Sequence, residues 1–388
     1  MLYFDHCAST PPREDVVRTM AEVMTRHYAN PGALHRAGAE ASKLIERARE
    51  AAASQLGGES RQWVFTSGGT ESNNLALLGA ARAARHRGRH IVTTAIEHPS
   101  VLEPCRQLER EGYRVTYLPV DRQGRIKAGQ VAEALTADTI LVSIMHVNNE
   151  VGAVQPIAEI GALLKDRPKT LYHVDAVQSV GKLPVRPAEW GVDLLSVSAH
   201  KLRGPRGAGW LYVRNPKLLD AQLRGGKQEA GLRAGTPNTA AIVAAAKALR
   251  LAVEQQEARH VQMSRLRARL VSGVSAIPEL HLIGGDTSEV SEGRAAPHIL
   301  ALCYPGLKAE VIVHMLEKHG VIVSTKSACS SRDERPSAVL LAMGHSQVEA
   351  LAGIRISFGD EHTEAAIDSL VERLRMTVAK LKPLRRLV

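Results

Sequence analysis

The amino-acid sequence predicts an α/β protein that has a large domain with a mostly parallel central sheet and a smaller α+β domain. Three observations predict this class. The chain has 388 residues, which at about 150 residues per domain corresponds to two or three domains. Short apolar runs alternate with longer helical patterns, and this rhythm changes near Ala240. Apolar residues make up 44% and charged residues 23%, which is ordinary globular usage and excludes a disordered or fibrous chain.

The large domain is predicted from the alternation of strands and helices. Apolar runs typical of buried strands lie at residues 62–66, 90–95, 115–119, 139–146, 170–174 and 193–198. Helical patterns separate or precede them at residues 37–56, 71–86, 101–110, 128–134 and 157–165. Because strands that alternate with helices of this length form parallel sheets covered on both faces, we expect that architecture here.

The smaller domain is predicted from the C-terminal part of the chain. A long helical pattern runs from about residue 240 to about 273. Strand patterns at 298–303 and 354–358 and helical patterns at 308–319 and 363–380 follow it. We expect residues 15–255 to form the large domain, and residues 1–14 together with 256–388 to form the small one.

The charge and cysteine content suggest a cytoplasmic protein. Lys and Arg total 50 against 40 Asp and Glu, a net charge of +10, which suits acidic ligands or partners or an Arg-rich surface. No basic run is interleaved with aromatic residues, so no direct nucleic-acid binding is predicted. Neither a signal peptide nor a membrane-spanning stretch is expected. The cysteines form no C-x-x-C pair, so we expect free thiols and no metal site.

A glycine turn between a strand and a helix is a candidate anion site. Residues 66–72 read Thr-Ser-Gly-Gly-Thr-Glu-Ser. Glycines allow close backbone approach, and a helix N-terminus directs unpaired N–H groups at an anion. The sequence matches neither the P-loop nor the dinucleotide fingerprint. An ordinary tight turn is the alternative.

Polar residues at the ends of other predicted strands suggest one shared site. Ser198, His200 and Lys201 follow the last strand, where a partly desolvated lysine has a lowered pKa and suits Schiff-base formation. Asp175 ends the preceding strand and suits a protonated pyridine nitrogen. Alternatively, Lys201 is a surface lysine and Asp175 a helix cap. Further polar sets follow at residues 97–100 and 147–152, and this coincidence favours a phosphorylated pyridine ligand.

Together these motifs resemble the cysteine desulfurases of the NifS/IscS type, which have the aspartate-aminotransferase-like fold type I of pyridoxal-phosphate enzymes. The resemblance covers nearly the whole chain. It rests on residues 3–5, 30–31, 66–74, 97–98, 147–152, 175–178, 198–201, 233–238 and 327–331 and on Arg355.

The resemblance implies roles around pyridoxal 5′-phosphate. Lys201 would carry the cofactor and Asp175 would pair with its ring nitrogen. Gln178 and Asn149 would lie near the ring hydroxyl, with Asn149 also near the substrate. His98 would stack on the ring as an acid or base.

The same resemblance implies the remaining site residues. The phosphate cup would comprise Gly69, Thr70, Ser198 and His200. Thr236 would contact the phosphate bound by a second subunit, which implies a homodimer. Arg355 would hold the substrate carboxylate, a role that suits its bidentate fork.

Cys329 matches the persulfide-forming cysteine of that family. The small and charged residues at 327–336 predict an exposed loop, and the nearby Lys326, Arg332 and Arg335 favour the thiolate. A buried structural cysteine is the alternative reading, and we expect that role for Cys7, Cys105 and Cys303.

The implied activity is that of a cysteine desulfurase, a pyridoxal-phosphate-dependent sulfurtransferase. It would convert L-cysteine to L-alanine and leave a persulfide on Cys329. The sulfur would then pass to an acceptor protein in iron–sulfur cluster assembly, tRNA thiolation or DNA sulfur modification. The alternatives are a selenocysteine lyase, racemase or aminotransferase of the same superfamily, and a non-catalytic scaffold.

The chain departs from the family pattern at four positions near these motifs. Lys326 and Lys227 stand where glycine is usual, and His6 and Cys7 stand where small or polar residues are common. Lys326 adds bulk and charge beside the reactive cysteine. We therefore expect it to affect the conformation of the loop and the choice of partner protein more than the chemistry at the cofactor.

Overall fold

The computed structural model describes residues 1–325 and 335–383. Its strands are β1 (Leu2–Tyr3), β2 (Trp63–Thr66), β3 (His90–Thr94), β4 (Arg114–Leu118), β5 (Thr139–Met145), β6 (Leu171–Asp175), β7 (Leu194–Ser198), β8 (Gly209–Val213), β9 (His281–Ile283), β10 (Ile299–Cys303), β11 (Val321–Ile322) and β12 (Gly353–Ser357). Its α-helices are α1 (Glu14–Arg26), α2 (Arg36–Leu56), α3 (Gly69–Ala84), α4 (Pro99–Arg110), α5 (Ala128–Ala134), α6 (Ile157–Leu164), α7 (Thr239–Glu254), α8 (Gln256–Ser275), α9 (Thr287–Ser291), α10 (Ala309–Lys318), α11 (Ala338–Ala342), α12 (Gln347–Leu351) and α13 (Glu364–Leu381).

A seven-stranded sheet forms the centre of the larger part of the molecule. Its strand order is β2-β8-β7-β6-β5-β3-β4. Strand β8 is antiparallel to both of its neighbours, and the other pairs are parallel. The predicted mostly parallel sheet is therefore confirmed, and the carboxyl ends of β5, β6 and β7 lie together at one edge.

Both faces of this sheet are buried, as the continuous apolar runs predict. Along β8, Trp210 and Tyr212 pack into the core beneath α2 and α7, whereas Leu211 and Val213 pack into the core beneath α3 and α4. This alternation follows from the two-residue period of a strand. A rigid, doubly covered sheet holds its strand ends in fixed positions, which suits a binding site.

A second core lies in the C-terminal part of the chain. Strands β9, β10 and β12 form an antiparallel sheet in the order β12-β10-β9. Helices α8, α10 and α13 contribute to its apolar core, and Phe4 from the N-terminus is part of the same core. Strand β1 pairs in parallel with β11 in a separate two-stranded sheet. Because Val321 of β11 belongs to the same apolar core as Phe4, the first residues of the chain lie with this second core.

Several elements differ from the sequence predictions. The predicted helix at 240–273 is two helices that meet at Gln255. The sequence patterns predict neither helix α1 nor strand β8, and they also miss the short elements β1, β9, β11, α9, α11 and α12. The predicted strands of the large sheet agree with β2 to β7 to within one residue at each end. Among the described residues, no helix has both the length and the apolar character that crossing a lipid bilayer requires.

Candidate active site

A pocket opens at the carboxyl edge of the central sheet. Residues that follow β2, β3, β5, β6 and β7 line it, together with the N-terminal segment and β12. The predicted site residues in its wall are Gly69, Thr70, His98, Asn149, Asp175, Gln178, Ser198, His200, Lys201 and Arg355. Every predicted site residue that the structure describes is therefore in this wall except Thr236.

Lys201 lies just beyond the end of β7, on a short 3₁₀ turn (Ala199–Lys201). Its Nζ donates hydrogen bonds to the carbonyl oxygens of Ala8, at 2.7 Å, and Cys7. Burial is the main cause that lowers the pKa of Lys201 to about 8, and the charges of Arg355 and Lys182 lower it further. The amine therefore loses its proton more readily than an ordinary lysine, which suits attack on an aldehyde.

A second lysine supports this turn. Lys182 is buried, and its Nζ donates a hydrogen bond to the carbonyl of Lys201 at 2.9 Å. Burial lowers the pKa of Lys182 to about 8. Lys182 therefore fixes the backbone of Lys201 and places a second positive charge behind it.

Asp175 is the last residue of β6, and its carboxylate is buried. Its Oδ2 accepts a hydrogen bond from Asn73 Nδ2 at 2.8 Å, and its Oδ1 accepts one from the Val177 N–H at 3.0 Å. These donors orient the carboxylate at the base of the pocket. A buried negative charge in this position suits a cationic ring nitrogen.

His98 precedes helix α4 and caps its N-terminus. Its Nδ1 accepts a hydrogen bond from the Ser100 N–H at 3.1 Å and lies 2.7 Å from Ser100 Oγ. Burial is the main cause that lowers the pKa of His98, the charge of Lys201 lowers it further, and Asp175 opposes this shift. The imidazole is therefore favoured in its neutral form.

The N-terminus of α3 forms the predicted anion site. The helix begins at Gly69, so the N–H groups of its first turn have no partners within the helix. A Cβ added at Gly69 would lie 2.7 Å from Val177 Cγ2, so a side chain would not fit there without movement. Ser198 and His200 line the same pocket. Burial lowers the pKa of His200 to about 3, so this ring is neutral and serves as a polar contact.

Gln178 and Arg355 present further polar groups. Gln178 Nε2 donates to the Cys7 carbonyl at 3.2 Å, whereas its Oε1 is buried without a hydrogen-bond partner in the described part of the chain. The buried Arg355 guanidinium donates to Asp5 Oδ1 at 2.8 Å and to the Asn149 carbonyl at 2.9 Å. Asp5 therefore balances the charge of Arg355 and fixes its orientation.

Of the predicted site residues, one lies away from this pocket and one falls outside the described residues. Thr236 is exposed and does not line it. Its assignment to a second subunit's phosphate stays a prediction. Cys329, together with Lys326 and Arg332, lies outside the described residues.

Several residues with evident roles at the site were not identified from the sequence. Asn73, Ser100 and Lys182 form hydrogen bonds with the predicted residues Asp175, His98 and Lys201, respectively. Asn73 lies within the resemblance at 66–74, but nothing in its local pattern indicates a contact with Asp175. Cys7 was expected to be structural, yet it lines the pocket, and its carbonyl accepts from Lys201.

A group of metal-ligand type lies near the N-terminus. In the described part of the chain, His6, Glu361 and His362 place potential ligand atoms within 4.8 Å of one another. His6 Nε2 is 2.7 Å from Glu361 Oε1, and His362 Nδ1 accepts a hydrogen bond from the Gly359 N–H at 3.1 Å. These protein contacts already account for the arrangement.

The fold and this pocket define a class of protein. A family model described as Aminotransferase class-V matches residues 2–370, so the chain belongs to the class-V aminotransferase family. Within that family, the relatives indicate the cysteine desulfurases of the NifS/IscS type. The Cysteine desulfurase IscS of Haemophilus ducreyi is 42% identical over 388 residues, which cover 99% of this chain and 94% of that protein.

Solved structures agree in fold. One described as a NifS-like protein has a TM-score of 0.91 and 36% identity, and the match covers 98% of this chain and all of that chain. Another, described as SspA in complex with cysteine, has a TM-score of 0.79 and 36% identity over 92% of this chain and 99% of that one. The predicted fold type is therefore confirmed.

The cofactor of this family is pyridoxal 5′-phosphate, and the pocket fits it. Lys201 has a lowered pKa that suits the aldehyde, and Asp175 suits the pyridine nitrogen. The unpaired Gln178 Oε1 suits the ring hydroxyl as a hydrogen-bond acceptor. The N-terminus of α3 suits the phosphate.

Proposed function

We propose that this chain is a cysteine desulfurase that converts L-cysteine and the thiol of Cys329 into L-alanine and a persulfide on Cys329. The observation that carries this proposal is that Lys201, Asp175, His98 and Arg355 line one pocket. The first two suit the cofactor, and the last two suit an amino-acid substrate. The names of the relatives support cysteine as that amino acid.

The residues around the cofactor divide the work of binding and proton transfer. Bound pyridoxal phosphate supplies an aldehyde that joins to amines and a ring that accepts the electrons of a broken Cα–H bond. Asp175 keeps the ring nitrogen protonated by its negative charge. Lys201, whose pKa is lowered to about 8, takes and returns protons near neutral pH. Gln178, Ser198 and the α3 N-terminus hold the ring and phosphate.

Substrate binding and sulfur transfer use Arg355, His98 and Cys329. Arg355 binds the substrate carboxylate through its guanidinium. His98 exchanges protons with the substrate sulfur. The Cys329 thiolate attacks that sulfur, so an S–S bond forms while the substrate Cβ–S bond breaks. Carbon keeps the electron pair and is protonated, which yields L-alanine.

We further propose that the persulfide sulfur passes to an acceptor protein and that the enzyme is a homodimer, in which Thr236 contacts the phosphate bound by the partner subunit. The exposed position of Thr236 is compatible with a contact across an interface. The free thiols of Cys7, Cys105 and Cys303 support a cytoplasmic location.

We also propose the domain division at residues 15–255, with 1–14 joined to 256–388. The meeting of α7 and α8 at Gln255 supports the boundary. The membership of Phe4 in the C-terminal core supports the assignment of the N-terminus.

The test is to locate the persulfide after the loaded enzyme has reacted with L-cysteine. Mass spectrometry should find one extra sulfur on the Cys329 peptide and an equal amount of L-alanine in solution. Cys329→Ser should lose the persulfide, and Lys201→Ala should lose both products. Cys105→Ala is the matched control, because burial raises the pKa of Cys105 to about 12 and leaves its thiol unreactive.

Two results would contradict the proposal. Full sulfur transfer by Cys329→Ser would remove the role assigned to that cysteine. Formation of a keto acid in place of L-alanine would indicate an aminotransferase.

A further inference from the structure

A chain of hydrogen bonds joins Asp175 to His98 within the pocket wall, which Asn73 and Ser100 also line. Asn73 Nδ2 lies 2.8 Å from Asp175 Oδ2 and 2.8 Å from Ser100 Oγ. Ser100 Oγ in turn lies 2.7 Å from His98 Nδ1. Asn73 and Ser100 are both buried. Two neutral side chains therefore connect the carboxylate at the base of the pocket to the imidazole at its wall.

The direction of each hydrogen bond follows from which groups can donate a hydrogen and which can only accept one. The Asp175 carboxylate only accepts, so the Asn73 atom facing it is the amide nitrogen. That nitrogen has two hydrogens and donates one to Asp175 and one to Ser100 Oγ. Because Ser100 Oγ already accepts from Asn73, its own hydrogen is available for His98 Nδ1.

The backbone N–H of Ser100 also indicates that His98 Nδ1 is an acceptor. Its N–H also faces His98 Nδ1, at 3.1 Å, and a backbone N–H is always a donor. If Nδ1 carried a hydrogen, that hydrogen would clash with the hydrogen of this backbone N–H. Nδ1 is therefore an acceptor, and the single hydrogen of the neutral imidazole resides on Nε2.

We propose that Asn73 and Ser100 are positioning residues that hold His98 as its Nε2–H tautomer and connect that tautomer to the charge of Asp175. The proposal deepens the proposed function and rests on it for the catalytic meaning of His98. A neutral ring with its hydrogen on Nε2 offers a substrate sulfur a hydrogen-bond donor without adding a second positive charge beside Lys201.

The network also opposes protonation of the ring, because a hydrogen on Nδ1 would break the contacts with Ser100. Within the described part of the chain, the charged groups that act on His98 include Asp175, which favours the imidazolium, and Lys201, which disfavours it. Removing the Ser100 hydroxyl should therefore raise the pKa of His98. The loss of one hydrogen bond corresponds to a shift of about 0.5–1 pH unit.

The test follows the ring nitrogens of His98 by NMR in the cofactor-loaded protein. Histidine is labelled with ¹⁵N, and the His98 signals are identified by their absence in His98→Asn. The wild type should show a protonated Nε2 and an unprotonated Nδ1. Ser100→Ala should raise the pKa of His98 and mix the two tautomers, and Ser100→Thr should restore both properties because it keeps the hydroxyl.

Asn73 offers a second, independent variant. Asn73→Ala should shift His98 in the same direction by a smaller amount, since the Ser100 hydroxyl remains. The double variant should match Ser100→Ala alone, because Asn73 acts through Ser100. Ser143→Ala is the matched control: Ser143 Oγ is 2.8 Å from His173 Nδ1, and neither residue lines the pocket. It should leave His98 unchanged.

The proposal fails if the wild-type ring carries its hydrogen on Nδ1, or if Ser100→Ala and Asn73→Ala both leave His98 unchanged. This measurement requires no turnover. A protein that shows the expected tautomer but forms no persulfide would retain the network and lose the proposed function, so the two failures are distinguishable.

Discussion

Asp5→Asn tests whether the buried charge of Arg355 depends on its partner. Only 2% of the Arg355 side chain is exposed, and its guanidinium pairs with Asp5 Oδ1 at 2.8 Å. The substitution removes the negative charge and keeps the shape. Breaking a buried ion pair typically costs about 3–5 kcal/mol. Because the Asn149 carbonyl still accepts from Arg355, we expect a loss near the lower limit, about 3 kcal/mol of unfolding free energy.

The assay is equilibrium urea unfolding of the loaded enzyme at one saturating concentration of pyridoxal phosphate, followed by circular dichroism. Asp138→Asn is the matched control, because Asp138 and Arg114 form an ion pair in which both side chains are half exposed. That variant should lose less than about 1 kcal/mol. Equal losses in the two variants would show that the buried charge of Arg355 does not depend on Asp5.

The same variant bears on the proposed role of Arg355. A bound carboxylate supplies a new negative charge to the guanidinium that Asp5→Asn leaves unbalanced. L-alanine, the proposed product, should therefore recover more stability in Asp5→Asn than in the wild type. An equal or smaller recovery would indicate that the carboxylate of the ligand lies elsewhere.

Two further predictions concern the lowered pKa of Lys201 and the raised pKa of Glu97. Lys182→Met should raise the pKa of Lys201 by about half a pH unit or more, because the substitution removes a buried positive charge that lowers that pKa. The pH dependence of amine labelling of Lys201 in cofactor-free protein measures the shift, and Lys165→Met, at an exposed position, is the control. An unchanged labelling profile in Lys182→Met would contradict this prediction. Burial raises the pKa of Glu97 to about 8, so the folded chain holds a proton that the unfolded chain loses at about pH 4.5 and above. Wild-type stability should therefore fall by about 1.4 kcal/mol per pH unit between about pH 4.5 and 8 from this group. Glu97→Gln should remove that part of the slope in urea unfolding at several pH values, and an identical slope in both proteins would exclude a protonated Glu97.

Much of the large sheet was predictable because its strands are continuous apolar runs bounded by polar residues. Ser198, Asp175 and His98 could be placed at one edge from the sequence, since parallel strands bring their carboxyl ends together. Strand β8 is not among the predicted strands, although Trp210 to Val213 are apolar. No glycine or proline marks the break at Gln255 that separates α7 from α8.

The supporting contacts of the site were not predictable, because they join residues that are distant in sequence. Asn73 and Asp175 are 102 positions apart, and Arg355 and Asp5 are 350 apart. Local pattern carries no information on such pairs. The pKa of Lys201 likewise depends on burial and on neighbours from other elements, which only the folded chain brings together.

The most direct test of the account is to identify the lysine that holds the cofactor. Borohydride treatment of the loaded enzyme fixes pyridoxal phosphate to that lysine, and mass spectrometry of the digested protein locates it. We expect modification of Lys201 and of no other lysine. Modification of Lys182 in its place, or of neither residue, would contradict the assignment on which the pocket and its chemistry rest.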